Sequence, residues 1–359
     1  QNAGADGYNT AVGFEAGKAI TSGIDNTLIG ALAGDAITSS SQNVALGSSA
    51  LSALTIGTAN VALGYRTLFA SVDGDHNTAV GYKALEDYED GDGNGHNTAI
   101  GSKSQLNATT GEFNTSLGSL SIGAGVTTGD SNTALGYAAG QQLTSASDST
   151  LIGRAAGDAI TTGNKNVAIG SFSLSAEDEH GFNVAVGYAT LNVQNAGANA
   201  YNVAVGYQTG KEVTTGVQNT LIGGQAGDAL TTGFFNTAIG RSALGASTIG
   251  NNNVAIGKDA MKINVASDRN VAVGVEALVS MTSASTVDQY NVAVGFQAGA
   301  AINSGIKNTI IGSNAGNALT TGNNNIIIGV DAAASAVDVS NTTVIGTTAT
   351  TSALVHGLK

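Results

Sequence analysis

An all-β fold, a parallel β-solenoid of about twenty coils, is what the sequence predicts, and three observations carry that prediction. A phrase of the general form N-(T/V)-A-(V/I/L)-G recurs twenty times, with substitutions at its first three positions in seven copies, and fifteen of the nineteen intervals between its closing glycines are seventeen residues long. Each phrase is a short run rich in β-branched residues bounded by Asn and Gly, which reads as strand rather than helix. The 359-residue chain holds 51 Gly, no Pro and no Cys, and is 42% apolar with 5% aromatic residues. That apolar share argues against disorder, and the scarcity of aromatics argues against an ordinary globular core.

The elements follow in order along one coil. The closing glycine (Gly13, Gly30, Gly47, Gly64, Gly81 and their successors) sets the register. The residue before it is always aliphatic, as in Ile29, Ile152 and Ile222, and the residue three before is Thr or a β-branched aliphatic. Apolar or small residues on both faces predict a strand covered on both sides. Three residues after the glycine stands Ala, Ser or Thr, and the next position is Gly in eight coils and Leu in seven. In the Gly coils an aliphatic follows three residues later, as in Ile20 and Ile37, whereas in the Leu coils that later position is mostly polar, as in Ser71, Glu177 and Gln194. The two types are expected to fill one interior slot by alternative routes, which requires coils stacked in register. Asn precedes the closing glycine by four residues in eighteen coils (Asn9, Asn26, Asn43 onward). It is expected there either as a turn residue or as a coil-to-coil amide ladder.

A repeat this short cannot bury its own apolar face. About three aliphatics per coil are too few to offset the ordering of seventeen residues, so oligomerisation is expected. A longer period overlies the short one: four modules begin near residues 8, 131, 201 and 290, each opening on a pair of Gly-type coils. With no linker or composition break, residues 1–359 read as one solenoid domain.

The phrases "NTAVG", "NVAVG" and "NTAIG" resemble the head repeats of trimeric autotransporter adhesins. The longer "NVAVGYQTGKEVTTGVQNTLIGGQAGDALTTG" resembles still more the repeats of bacteriophage tail fibres and related tail-fibre-domain proteins. The resemblance implies a left-handed β-roll, three chains around one axis, and an adhesive or spacer role outside the cell, on a virion tail or a cell surface.

The net charge of −13 disfavours nucleic acid or an anionic membrane as partner, and no apolar run approaches a membrane span. The richest loop is "LEDYEDGDGNGHN". Asp87, Glu89, Asp90 and Asp92 are a weak calcium candidate, with a solvated acidic loop the expected state. Tyr88, Asp90, Asp92 and His96 of the same loop are the expected receptor contacts, since insertions on a rigid scaffold carry recognition. Seven aromatics follow the closing glycine (Phe14, Tyr65, Tyr82, Tyr137, Tyr188, Tyr207, Phe296) and are expected to pack in grooves or at a chain–chain boundary. The four His are expected to be held apart by the stacking. No nucleophile–base constellation stands out, so neither enzyme activity nor a cofactor is expected.

The expected function is therefore structural: a homotrimeric fibre shaft or receptor-binding rod, its partners itself and a host-surface glycan or protein. A subunit of an extracellular filament, stacking end to end, is the alternative, since neither end carries an obvious polar cap. Ice binding by Thr pairs such as Thr161–Thr162 is less expected, because the pairs skip many coils.

Overall fold

In the computed structural model, which describes residues 6–89, 94–282 and 288–350, the chain groups into two units, Gln1–Phe182 and Asn183–Lys359. Among the described residues the first unit holds ten three-residue strands: β1 Thr10–Val12, β2 Thr27–Ile29, β3 Val44–Leu46, β4 Val61–Leu63, β5 Thr78–Val80, β6 Thr98–Ile100, β7 Thr115–Leu117, β8 Thr133–Leu135, β9 Thr150–Ile152 and β10 Val167–Ile169. The second holds β11 Val184–Val186, β12 Val203–Val205, β13 Thr220–Ile222, β14 Thr237–Ile239, β15 Val254–Ile256, β16 Val271–Val273, β17 Val292–Val294, β18 Thr309–Ile311, β19 Ile326–Ile328 and β20 Thr343–Ile345. Within each unit every strand pairs in parallel with the next, phrase against phrase, as in Thr27↔Val44 and Ile29↔Leu46. Each unit is a parallel β-solenoid with one short strand per coil.

Hydrogen bonds between coils continue around the whole circuit. Thr10 N donates to Asn26 O at 2.8 Å, Gly17 N to Ala33 O at 3.0 Å, Thr21 N to Thr38 O at 2.9 Å, and Leu32 N to Phe14 O at 2.8 Å. The overlong coils therefore stack without losing register: β5 and β6, twenty residues apart, still pair Ala79 with Ala99.

The Asn column is a ladder, which decides between the two roles expected of it. In the second unit each Asn Oδ1 accepts the backbone N–H of the next Asn, as from Asn219 to Asn202 at 2.8 Å and from Asn253 to Asn236 at 3.1 Å. Most Nδ2 groups also donate to a carbonyl of the next turn, as Asn236 does to Gly250 O at 2.8 Å, whereas Asn270 Nδ2 donates to Asp268 O of its own coil at 2.9 Å. The first-unit ladder runs from Asn9 through Asn132 and passes through Ser149, whose Oγ accepts Asn166 N–H at 3.3 Å. From Asn26 onward these amides are buried, so the ladder satisfies donors that water does not reach.

The interior slot is filled by the two routes expected. In Gly coils the closest atoms to a side chain built on Gly17 are Leu28 Cδ1 at 2.8 Å and Ile20 Cδ1 at 2.9 Å; on Gly34 they are Ile37 Cδ1 at 2.7 Å and Leu28 Cδ2 at 2.9 Å. Leu28, from the middle of β2, therefore lies over both glycines. In the other coils Leu51, Leu68 and Leu85 occupy the corresponding place and fill the slot themselves, fully buried. The backbone there is left-handed in both types, with φ of +59° at Gly17 and +54° at Leu51. Glycine adopts it freely; leucine adopts it at a cost that burial of its side chain offsets.

The strands are covered on one side only. The middle residue of almost every strand is buried, while its two neighbours are half-buried or exposed. The expectation of cover on both faces is not met within a single chain. The turns of the same chain pack against one face, and the other is open.

Candidate functional site

The open face is the most extended feature of each unit. Its centre is a column of aliphatics, one per coil, including Leu46 (46% exposed), Leu117 (43%) and Leu135 (41%) in the first unit, and Ile311 (40%) and Ile345 (46%) in the second. Ile29 and Ile152 are half-buried members of the same column and Ile222 an exposed one. Beside it runs the Thr/Val column, with Thr78, Thr98, Thr115, Thr133 and Thr150 in unbroken register.

Aromatics flank this face at both edges of the strands. The seven that follow the closing glycine are all exposed, so the expected groove packing does not occur within one chain. Tyr65 stacks on Tyr82 and Tyr188 on Tyr207, each pair with ring centroids 5.7 Å apart. A second aromatic column, not anticipated from the sequence, stands just before the ladder Asn: Tyr8, His76, His96, Phe113 and Phe182 in the first unit, Tyr201, Phe235 and Tyr290 in the second. All are exposed, and all hold positive φ, between +43° at Tyr8 and +66° at Phe182. The signal that marks them is positional: an aromatic recurring one residue before Asn.

His76, His96 and Phe113 stack in succession, with centroids 4.8 and 5.3 Å apart. Coil stacking thus brings two of the histidines together, where it was expected to hold them apart. The overlong coil between them adds residues elsewhere in the circuit, so both rings keep the same register position.

The acidic loop is only partly as expected. Tyr88 is fully buried and its hydroxyl donates to Asn94 O at 2.9 Å, so it is no receptor contact; it fills the aliphatic slot seven residues after Gly81. Asp87 and His96 are exposed, while Asp90 and Asp92 lie outside the described residues. Glu89 Oε2 accepts Val72 N–H at 2.7 Å, which directs that carboxylate to the neighbouring coil. Beneath the loop, nearly buried Glu86 meets Arg66 Nε at 2.7 Å and Lys83 Nζ at 3.0 Å. The first Thr of each Thr pair is engaged in the stack, as Thr161 Oγ1 donating to Asp178 O at 3.0 Å and Thr231 Oγ1 to Thr248 O at 2.9 Å.

The "AGDA" coils place Asp158 and Asp228 at one register position, and burial raises both carboxyls above their ordinary range. Asp158 Oδ1 is buried without a hydrogen-bond partner. A raised folded-state pKa means that the carboxyl stabilises the fold best when protonated. Stability is then lost as pH rises from the ordinary value of 3.8 through the folded value. Asp158→Asn, the residue type that Asn317 supplies in the fourth module, is expected to stabilise the chain at pH 7 by up to about 1 kcal/mol, discounted for partial exposure, with no gain near pH 3. Thermal melts at the two pH values check this. Beside Asp228 lies a notch of about 390 Å³ bordered by Arg241, Ser242, Gly245 and Lys262.

Among the described residues, no helix is long and apolar enough to cross a membrane. No model of a known protein family matches the chain, and no curated protein matches it either.

Proposed function

We propose that this chain is a structural and adhesive fibre protein, the shaft or receptor-binding rod of a phage tail fibre or surface adhesin, and that it works as a homotrimer outside the cell. The observation that carries the reading is the in-register aliphatic column on the open face of each solenoid unit. Parallel sheets are ordinarily covered on both faces, and long contiguous apolar surfaces on soluble chains mark interaction sites. A second and third copy of the same chain supply that cover around a closed axis, where repeat matches repeat at the same spacing. The flanking Tyr and Phe columns then lie where chains meet or at the outer rim, and rim tyrosines suit contact with a host-surface glycan or protein. The resemblance of the repeats to those of tail fibres and adhesin heads supports the same reading. Immunogold electron microscopy with an antibody against the chain tests it: label is expected along discrete projections from virion tails or cell surfaces. Label confined to the cell interior, or along continuous filaments, contradicts it.

A further inference from the structure

The coil after β10 carries the sequence "AEDEHG" at Ala176–Gly181. Glu177 stands seven residues after Gly170, in the slot that Ile37, Leu143 and Ile160 fill in other coils of this unit, and it is fully buried. A carboxylate placed in an aliphatic slot loses its hydration and is held there by hydrogen bonds or by opposite charge. Three residues on, His180 points its Nδ1 at Glu177 Oε1, 3.4 Å away, and that nitrogen is buried with no hydrogen bond. Asp178 adds a third donor: one ligand atom from each of Glu177, Asp178 and His180 lies within 4.8 Å of the others. Both carboxylates are oriented by backbone amides, His180 N–H donating to Glu177 Oε1 at 3.2 Å and Glu179 N–H to Asp178 Oδ1 at 2.7 Å.

We propose that Glu177, Asp178 and His180 form a binding site for one divalent transition-metal ion, with zinc the best match. Metal–ligand distances of about 2.1 Å place the corners of a tetrahedron about 3.4 Å apart, which is the observed separation of Nδ1 and Oε1. A small closure of the Asp178 carboxylate completes three corners, and water takes the fourth. The imidazole excludes calcium and magnesium as the preferred ions, since both take oxygen ligands. Bound metal sets a positive charge against buried Glu177 and ties the turn 177–180 together without a disulfide. This places metal chemistry away from the acidic loop at residues 87–92 and is independent of the fibre reading.

The full chain, freed of metal with a chelator, is titrated with zinc chloride by calorimetry and with cobalt chloride by visible absorption. One ion per chain and the intense visible bands of tetrahedral cobalt are expected. His180→Ala is expected to weaken zinc binding at least about tenfold, while the double variant His76→Ala/His96→Ala, which removes the other pair of adjacent imidazoles, binds as the parent does. A parent chain that takes up no zinc, or a His180→Ala chain that binds as tightly as the parent, overturns the proposal and leaves an ordinary His–Glu contact. Zinc binding lost in the His76/His96 variant overturns it equally. Glu177→Gln is the isosteric companion; should it fail to fold, His180→Ala decides alone, because that ring lies partly at the surface.

Discussion

Gly240→Ala is expected to destabilise the second unit by about 3–5 kcal/mol, while Gly224→Ala, sixteen residues earlier, is expected to change stability by less than about 0.5 kcal/mol. At Gly240 a Cβ falls 2.5 Å from Gly257 O, 2.6 Å from its carbonyl carbon and 3.0 Å from Lys258 N. Those atoms are backbone of the next coil, held by the stack, so they cannot swing aside as a side chain would. The φ of +133° at Gly240 adds strain for any residue with a Cβ. At Gly224 no atom lies within 4 Å of the added carbon. Denaturant titration followed by circular dichroism separates the two variants, and equal midpoints would refute the stacking argument. Because each coil contacts chiefly its neighbours, the damage should concentrate around the altered coil.

Asn236→Ala is expected to cost about 2–4 kcal/mol. The substitution leaves the buried Asn253 N–H without its acceptor at 3.1 Å, and it removes the donor that reaches Gly250 O at 2.8 Å and Asn219 Oδ1 at 3.1 Å. Asn236→Asp is expected to be worse at neutral pH, although its shape is nearly unchanged. It retains an acceptor for Asn253 but turns the other end of the amide into an acceptor facing two acceptors, with a buried negative charge. Burial disfavours that charge, so the Asp variant should recover stability on acidification while the Ala variant does not. Melts of both variants at pH 7 and about pH 4 test the pair. An Ala variant within about 0.5 kcal/mol of the parent would mean that the ladder is not structural.

Much of this architecture is legible from spacing alone, because stacking turns every sequence position into a column. The strand phrase, the Asn ladder and the Gly/Leu exchange are properties of one coil repeated, so twenty copies average out local exceptions. The acidic neighbours of Tyr88 point to the surface, whereas its register, seven residues after Gly81, places it in the core slot. The same slot holds Glu177, so local composition hides the two positions where register matters most. His76 and His96 look distant because they are twenty residues apart, yet that distance is one circuit. A single chain leaves one strand face open, and no pattern within one coil specifies what covers it.

That face is where the functional account is most exposed to test. Leu117 and Leu135 are paired neighbours in the aliphatic column and both project from the open side, so lysines there are compatible with a folded single chain. Sedimentation equilibrium of the full chain at micromolar concentration is the direct measurement. A mass three times that of the 35.2 kDa chain is expected, with Leu117→Lys/Leu135→Lys shifted toward single chains of unchanged circular dichroism. A parent chain that sediments as a stable monomer contradicts the trimeric fibre.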